Sequence, residues 1–158
     1  MFGRIYGILA LLLVAGAAGI HFYQPDFTTL SQLGSIFGQG ETVSRHFPLC
    51  GNGPRVNCVV DGDTFWLAGV KIRVADVNTP EVSDPACAAE AALGARATRR
   101  LLSLLNAGPF EVRRGWRDED VYGRKLRTLY RNGESIGEIL VAEGLAHEWR
   151  GYKQDWCG

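Results

Sequence analysis

The residues equipped for chemistry crowd into 59–81, VVDGDTFWLAGVKIRVADVNTPE, where Asp61, Asp63, Asp76, Arg73 and Glu81 sit among apolar neighbours. Ionised groups beside a core are costly unless they are paired or bind metal. Asp61-Gly62-Asp63-Thr64 places hard oxygen donors on a tight turn, which suits Ca²⁺ or Mg²⁺. The same tripeptide also occurs as an ordinary turn, and the later Gly and terminal Glu of an EF-hand loop are missing. Asn78-Thr79-Pro80-Glu81 adds an amide and a carboxylate at a strand-ending turn, and Tyr122-Gly123-Arg124 brings a second guanidinium from far downstream. A divalent metal and two arginines can stabilise charge on a phosphate oxygen while a glutamate activates water. That combination is the chemistry of phosphodiester hydrolysis.

Strands must carry most of these groups. Alternation predicts strands over 56–60, 64–67 and 70–74, the last two joined as a hairpin through Ala68-Gly69. With a two-residue turn, Phe65, Leu67, Val70, Ile72 and Val74 share the buried face. Asp63 then falls opposite Val74, with Asp76 diagonal to it. Asp76 and Asn78 share a side, whereas Arg73 does not unless a bulge or strand end re-aims it. Asp84-Pro85 is expected to open a helix, Asp as N-cap and Pro at the first helical position, with Ala88, Ala92, Leu93, Leu101, Leu102 and Leu105 as its apolar stripe and Gly108 ending it. Strands follow over 110–114 and 125–130, separated by the polar loop GWRDEDVYG. Ser135 and Glu138 form a capping box for a short helix to Glu143, stopped by Gly144. Strands interrupted by two helices indicate an α+β fold, a small barrel with helices packed on it.

The 158 residues suffice for one domain, and the formal net charge of +0 argues against a coating, sequence-blind nucleic-acid binder. Basic residues of the domain are nearly all Arg, with Lys only at 71, 125 and 153; the Arg fork matches phosphate, although a genome favouring Arg codons gives the same bias. Residues 1–24 read as a signal or transmembrane anchor. IYGILALLLVAGAAGI with its uncharged flanks spans roughly 30 Å as a helix, about one hydrocarbon core, while Ala15-Gly16-Ala17 offers a cleavage site. Arg4 before the run and Asp26 after it place the rest outside the cytoplasm, held at the inner membrane and facing the periplasm, or secreted if the N-terminus is cleaved. Residues 25–49 read as a linker, with a short membrane-surface helix through Phe27, Leu30 and Leu33 as the rival, and 50–158 as the domain. Cys50, Cys58, Cys87 and Cys157 suggest disulfides in an exported chain. Three pairings are possible. Cys50 and Cys58 flank a Gly-Asn-Gly-Pro turn, which makes Cys50–Cys58 a cheap local clip and leaves Cys87–Cys157. Scattered histidines and the absence of paired CxxC spacing argue against zinc.

VVDGDT, IRVADVNTPE, DVYGRKL and GEILVAEGLA, in this order and spacing, resemble the staphylococcal thermonuclease family over about 58–149. The resemblance implies a five-stranded OB-type barrel with two to three helices, acting as a monomer in Ca²⁺-dependent cleavage of DNA, RNA or both. It implies metal ligation by Asp63, Asn78 and the backbone carbonyl of Thr79, with Asp61 beside the metal. Arg73 and Arg124 would bind phosphate, Glu81 would be the general base, and Tyr122 would line the nucleotide pocket. Asn78 departs from the family pattern, which often has Asp there; an amide oxygen can coordinate Ca²⁺ but adds no charge, so metal affinity should drop unless Asp76 compensates. The chain beyond 151 is shortened: Tyr152 is expected to flank the nucleotide site, and Trp149 is assigned to packing. Two other readings remain. One is a non-catalytic OB-type nucleic-acid-binding module, with Trp66, Trp116, Trp149 and Tyr152 as stacking candidates. The other is an envelope protein whose acidic turn holds structural Ca²⁺.

Overall fold

The computed structural model describes residues 40–158. The signal or anchor expected over 1–24, and most of the linker expected over 25–49, lie outside the described residues. Among the described residues, no helix is long and apolar enough to cross a membrane.

The element order is β1 (Glu41–Val43), β2 (Cys58–Val59), β3 (Thr64–Leu67), β4 (Val70–Val74), β5 (Val77–Asn78), α1 (Ala88–Asn106), β6 (Phe110–Glu119), β7 (Lys125–Arg131), β8 (Glu134–Ser135), α2 (Ile136–Ala142) and β9 (His147–Glu148). One mixed sheet runs β1-β6-β7-β4-β3-β2, with β8 pairing β7, and a separate ribbon joins β5 to β9. The edges β1 and β2 do not pair with each other, which leaves a partly open OB-type barrel. The five expected strands correspond to β2, β3, β4, β6 and β7; β1 and β8 extend them.

The β3–β4 hairpin has the expected register, Leu67 opposite Val70 and Phe65 opposite Ile72. Ala68 (φ 50) and Gly69 (φ 80) both lie in the left-handed region, the geometry of a two-residue turn that matches strand twist. Phe65, Ile72 and Val74 are buried there, but Val70, beside the turn, is exposed. β4 also pairs parallel with β7, Val74 opposite Arg127. This crossover requires the long excursion through α1 and β6.

Three expectations need correcting. The domain starts before residue 50, because β1 pairs antiparallel with β6 and Phe47 is buried against Phe65 and Phe110. Asn106, at the end of α1, fixes Phe47 in place: its amide accepts from Phe47 N (2.9 Å) and donates to Phe47 O (2.8 Å). Second, α1 begins at Ala88 with Cys87 as N-cap, so Asp84-Pro85 belongs to the preceding turn. The Cys87 side chain is tied to Cys157, and the backbone ahead of it is bonded to Glu90, which leaves Asp84 no capping role. Third, the buried face of α1 is Glu90, Gly94, Ala97, Thr98, Leu101, Leu104 and Leu105. Ala88 and Ala92 are exposed. The first turns of the helix therefore face something other than an apolar core. The two disulfides, Cys50–Cys58 and Cys87–Cys157, leave no free cysteine among the described residues.

Candidate active site

The Asp61–Asp63 turn is built by its own backbone and by contact with α1. Asp61 Oδ1 accepts from Asp63 N at 3.1 Å, and Val60 N donates to Thr64 O at 2.9 Å. A Cβ at Gly62 would sit 2.7 Å from Ala97 Cβ and 2.8 Å from Thr79 Oγ1, so the turn presses on both α1 and the Thr79 segment. Asp63 is thereby buried. Its carboxylate accepts from Thr64 Oγ1 (2.9 Å) and Thr79 N (3.3 Å) and pairs with Arg73 Nη1 at 2.5 Å. The turn brings Asp63 past the strand end onto the face of Thr64 and Arg73, which strand alternation alone does not do. Burial, and then the Asp63 carboxylate beside it, push Asp61 up to about 6 from its ordinary 3.8.

A cavity of about 730 Å³ opens over this turn. Asp61, Asp63, Thr79 and Glu81 form its acidic wall, and Arg73 lies across the floor between that wall and Trp149. The opposite wall comes from β6 and the loop to β7, with Trp116, Tyr122 and Arg124. β6 pairs Arg114 with Arg127 and then Glu119 with Lys125, so residues 115–118 face a single residue of β7 and bulge. The bulge projects Trp116, which is 95% exposed. Asp120 shapes the following loop: Oδ1 accepts from the N–H of Tyr122 and of Arg124 (2.9 Å each), and Oδ2 pairs with Arg124 Nε at 2.6 Å. The Arg124 guanidinium lies 5.5 Å from the Tyr122 ring.

Arg73, Glu81, Arg124, Asp61, Asp63, Thr79 and Tyr122 thus line one cavity. Asn78 does not line it; it is buried, with Oδ1 facing Arg73 Nη2 at 3.5 Å. Among the described residues no three His, Cys, Asp or Glu side chains are grouped to hold a metal ion. Asp76 corrects an expectation. The chain turns after β4, where Ala75 N donates to Arg127 O, and Asp76 points to Ser135 Oγ (3.1 Å) and Gly137 at the start of α2, away from the cavity. Burial raises its pKa. Tyr152 is 60% exposed and is not part of the wall; Gly151, at φ 88, turns the tail so that Lys153 lines the cavity and pairs with Glu81. Trp149, assigned to packing, is 37% exposed and faces Arg73.

Sequence reasoning passed over Asp120 and Lys153. Asp120 carried a readable signal, an Asp two residues before the Tyr-Gly-Arg that its side chain can fold into an Asx turn. Lys153 carried none, because its place depends on a disulfide closing 70 residues.

The model of the family described as "Staphylococcal nuclease homologue" matches residues 71–156, more than half of the chain. The chain belongs to that family. Two relatives of this nuclease-homologue domain come from Bacillus subtilis (strain 168). Endonuclease YncB is 36% identical over 92 residues, 55% of this chain and 43% of its own length. The SPbeta prophage-derived endonuclease YokF is 35% identical over 92 residues, 55% of this chain and 31% of its own length. The chain therefore spans less than half the length of these curated relatives.

Proposed function

We propose that the chain is a nuclease that hydrolyses phosphodiester bonds of DNA, RNA or both, with single strands as the favoured form. The observation that carries this reading is the convergence of Arg73, Glu81 and Arg124 on one open cavity. Membership of the nuclease-homologue family and two relatives named endonuclease support it. Arg73 and Arg124 would hold the non-bridging phosphate oxygens and stabilise the charge that grows on them. Glu81 would take a proton from a water as the water oxygen bonds to phosphorus and the bond to the leaving sugar oxygen breaks. Trp116 and Tyr122, exposed at the rim, offer faces on which unpaired bases can stack.

The donor chemistry fits a hard divalent cation such as Ca²⁺. Asp61 and Asp63 are two carboxylates side by side at the cavity, the Thr79 segment meets them, and every candidate donor atom is oxygen. Asp63 and the Thr79 carbonyl would hold the ion with Asp61 beside it. Asn78 Oδ1, which faces Arg73 outside the cavity lining, would join them on release from that guanidinium. When bound, the ion supplies Lewis-acid neutralisation of phosphate charge. The Lys153–Glu81 pair is the feature that favours the alternative of a non-catalytic binding module, because it occupies the base. Two disulfides support an oxidising location outside the cytoplasm, with residues 1–24 as the export signal or anchor.

Glu81→Gln decides between the readings. Turnover of a single-stranded oligonucleotide is expected to fall by about 10²–10⁴, with binding of the same oligonucleotide retained. An unchanged rate would remove Glu81 from the chemistry.

A further inference from the structure

Helix α1 buries two residues that an ordinary packing helix does not favour on its inner face. Glu90 is only 6% exposed and, among the described residues, has no cationic partner. Gly94, one turn later, is a poor helix former for a helix interior. Both face the same backbone. Glu90 Oε1 accepts from Glu81 N at 3.1 Å, while Oε2 accepts from Ala86 N at 2.6 Å. A Cβ at Gly94 would lie 2.8 Å from Pro80 O and 2.8 Å from Glu81 O. The peptide group between Pro80 and Glu81 is therefore held on both sides. Its N–H meets the Glu90 carboxylate, and its C=O lies against the bare Cα of Gly94.

Helix capping explains only part of this. A Glu three residues after the N-cap commonly turns back to the N-cap amide, and the bond to Ala86 N, one residue ahead of the Cys87 cap, is a shifted version of that contact. The bond to Glu81 N reaches across the turn to a different segment, and capping gives no reason for it. One carboxylate closes both ends of the 81–86 loop.

We propose that Glu90, with Gly94 beneath it, is a positioning residue for Glu81: it fixes the backbone from which that carboxylate is presented to the cavity. The inference rests on the reading of Glu81 as the general base. Displacing a catalytic group by about 1 Å from its productive position costs on the order of 10²-fold, so a loosened Pro80–Glu81 peptide should appear in turnover rather than in substrate binding.

The test is a double-mutant cycle in the full chain with single-stranded DNA and Ca²⁺. Glu90→Gln keeps the shape but opposes one backbone N–H with an amide NH₂. It should lower kcat by about 10- to 100-fold with KM within about twofold. In a Glu81→Gln background the same change should alter the residual rate by less than about twofold, since there is no base left to misplace. Equal losses in both backgrounds, or a loss confined to KM, overturn the proposal. An unchanged rate for Glu81→Gln alone instead removes the general-base reading, a distinguishable failure. Should Glu90→Gln not fold, amide exchange in the unaltered protein serves: the Glu81 and Ala86 N–H groups should exchange far more slowly than those of Val82 and Ser83. Equal exchange overturns the proposal.

Discussion

The two walls of the cavity are made in different ways. The acidic wall is backed by α1. Asp63 and Thr79 are buried, their backbone is hydrogen-bonded, and Gly62 and Gly94 remove the side chains that would keep helix and turns apart. The opposite wall stands in solvent on a bulged strand and a loop, with Trp116 95% and Tyr122 81% exposed and Asp120 alone fixing Arg124. A wall with its geometry set before substrate arrives suits the reacting groups, whose contribution depends on placement. A wall that can adjust suits bases of varied shape. Losses on the first side should therefore fall on turnover and stability together, and on the second mainly on rate or binding alone.

Removing the same charge from each wall tests this most strongly. Arg73→Ala is expected to lower kcat by about 10²–10³. It also leaves Asp63 buried without its partner, at a cost of about 3–5 kcal/mol, so the melting temperature should drop by roughly 10 °C or more. Arg124→Ala should lower kcat comparably while moving the melting temperature by less than Arg73→Ala does, since Asp120 sits on a loop and, without the half-buried guanidinium, still accepts from the N–H groups of Tyr122 and Arg124. Equal melting shifts in calorimetry would erase the distinction between the walls.

A smaller effect is expected at the bulge. Trp116→Ala should raise KM for single-stranded oligonucleotides by about 5- to 100-fold, as removal of one stacking face does, and leave kcat and stability unchanged. A fall in kcat at constant KM would place Trp116 with the acidic wall. The smallest effect belongs to Asn78→Asp. An added carboxylate should tighten Ca²⁺ binding several-fold in calorimetry, whereas an unchanged affinity would remove Asn78 from the ligand set.

The β3–β4 hairpin and α2 were legible in the sequence because their signals are local. Alternation and the Ala68-Gly69 turn set the hairpin register, and Ser135 caps α2 by accepting from Glu138 N. The register placed Asp63 at the hairpin's open end but not on the face of Arg73; the 61–63 turn does that, and the resemblance rather than alternation pointed to the cavity set inside 61–81. Asp76 obeys strand alternation only if the strand continues; the turn at Ala75 breaks it and sends the side chain to α2. The start of α1 was misread for a related reason. Apolar periodicity selects Ala88 and Ala92, but the helix meets backbone there, and backbone calls for an acceptor at Glu90 and a gap at Gly94. β1 and the placements of Trp149 and Lys153 depend on pairings distant in sequence, so no local pattern announces them.

In the proposed function one cavity joins a hard-cation site to a glutamate base and two arginines for phosphodiester cleavage. The direct measurement is incubation of the full chain with an end-labelled single-stranded oligonucleotide, with Ca²⁺ and then with excess chelator, followed by product sizing. Cleaved fragments with Ca²⁺ and intact oligonucleotide with chelator are the predicted result. Oligonucleotide that is bound but uncut under both conditions would contradict it.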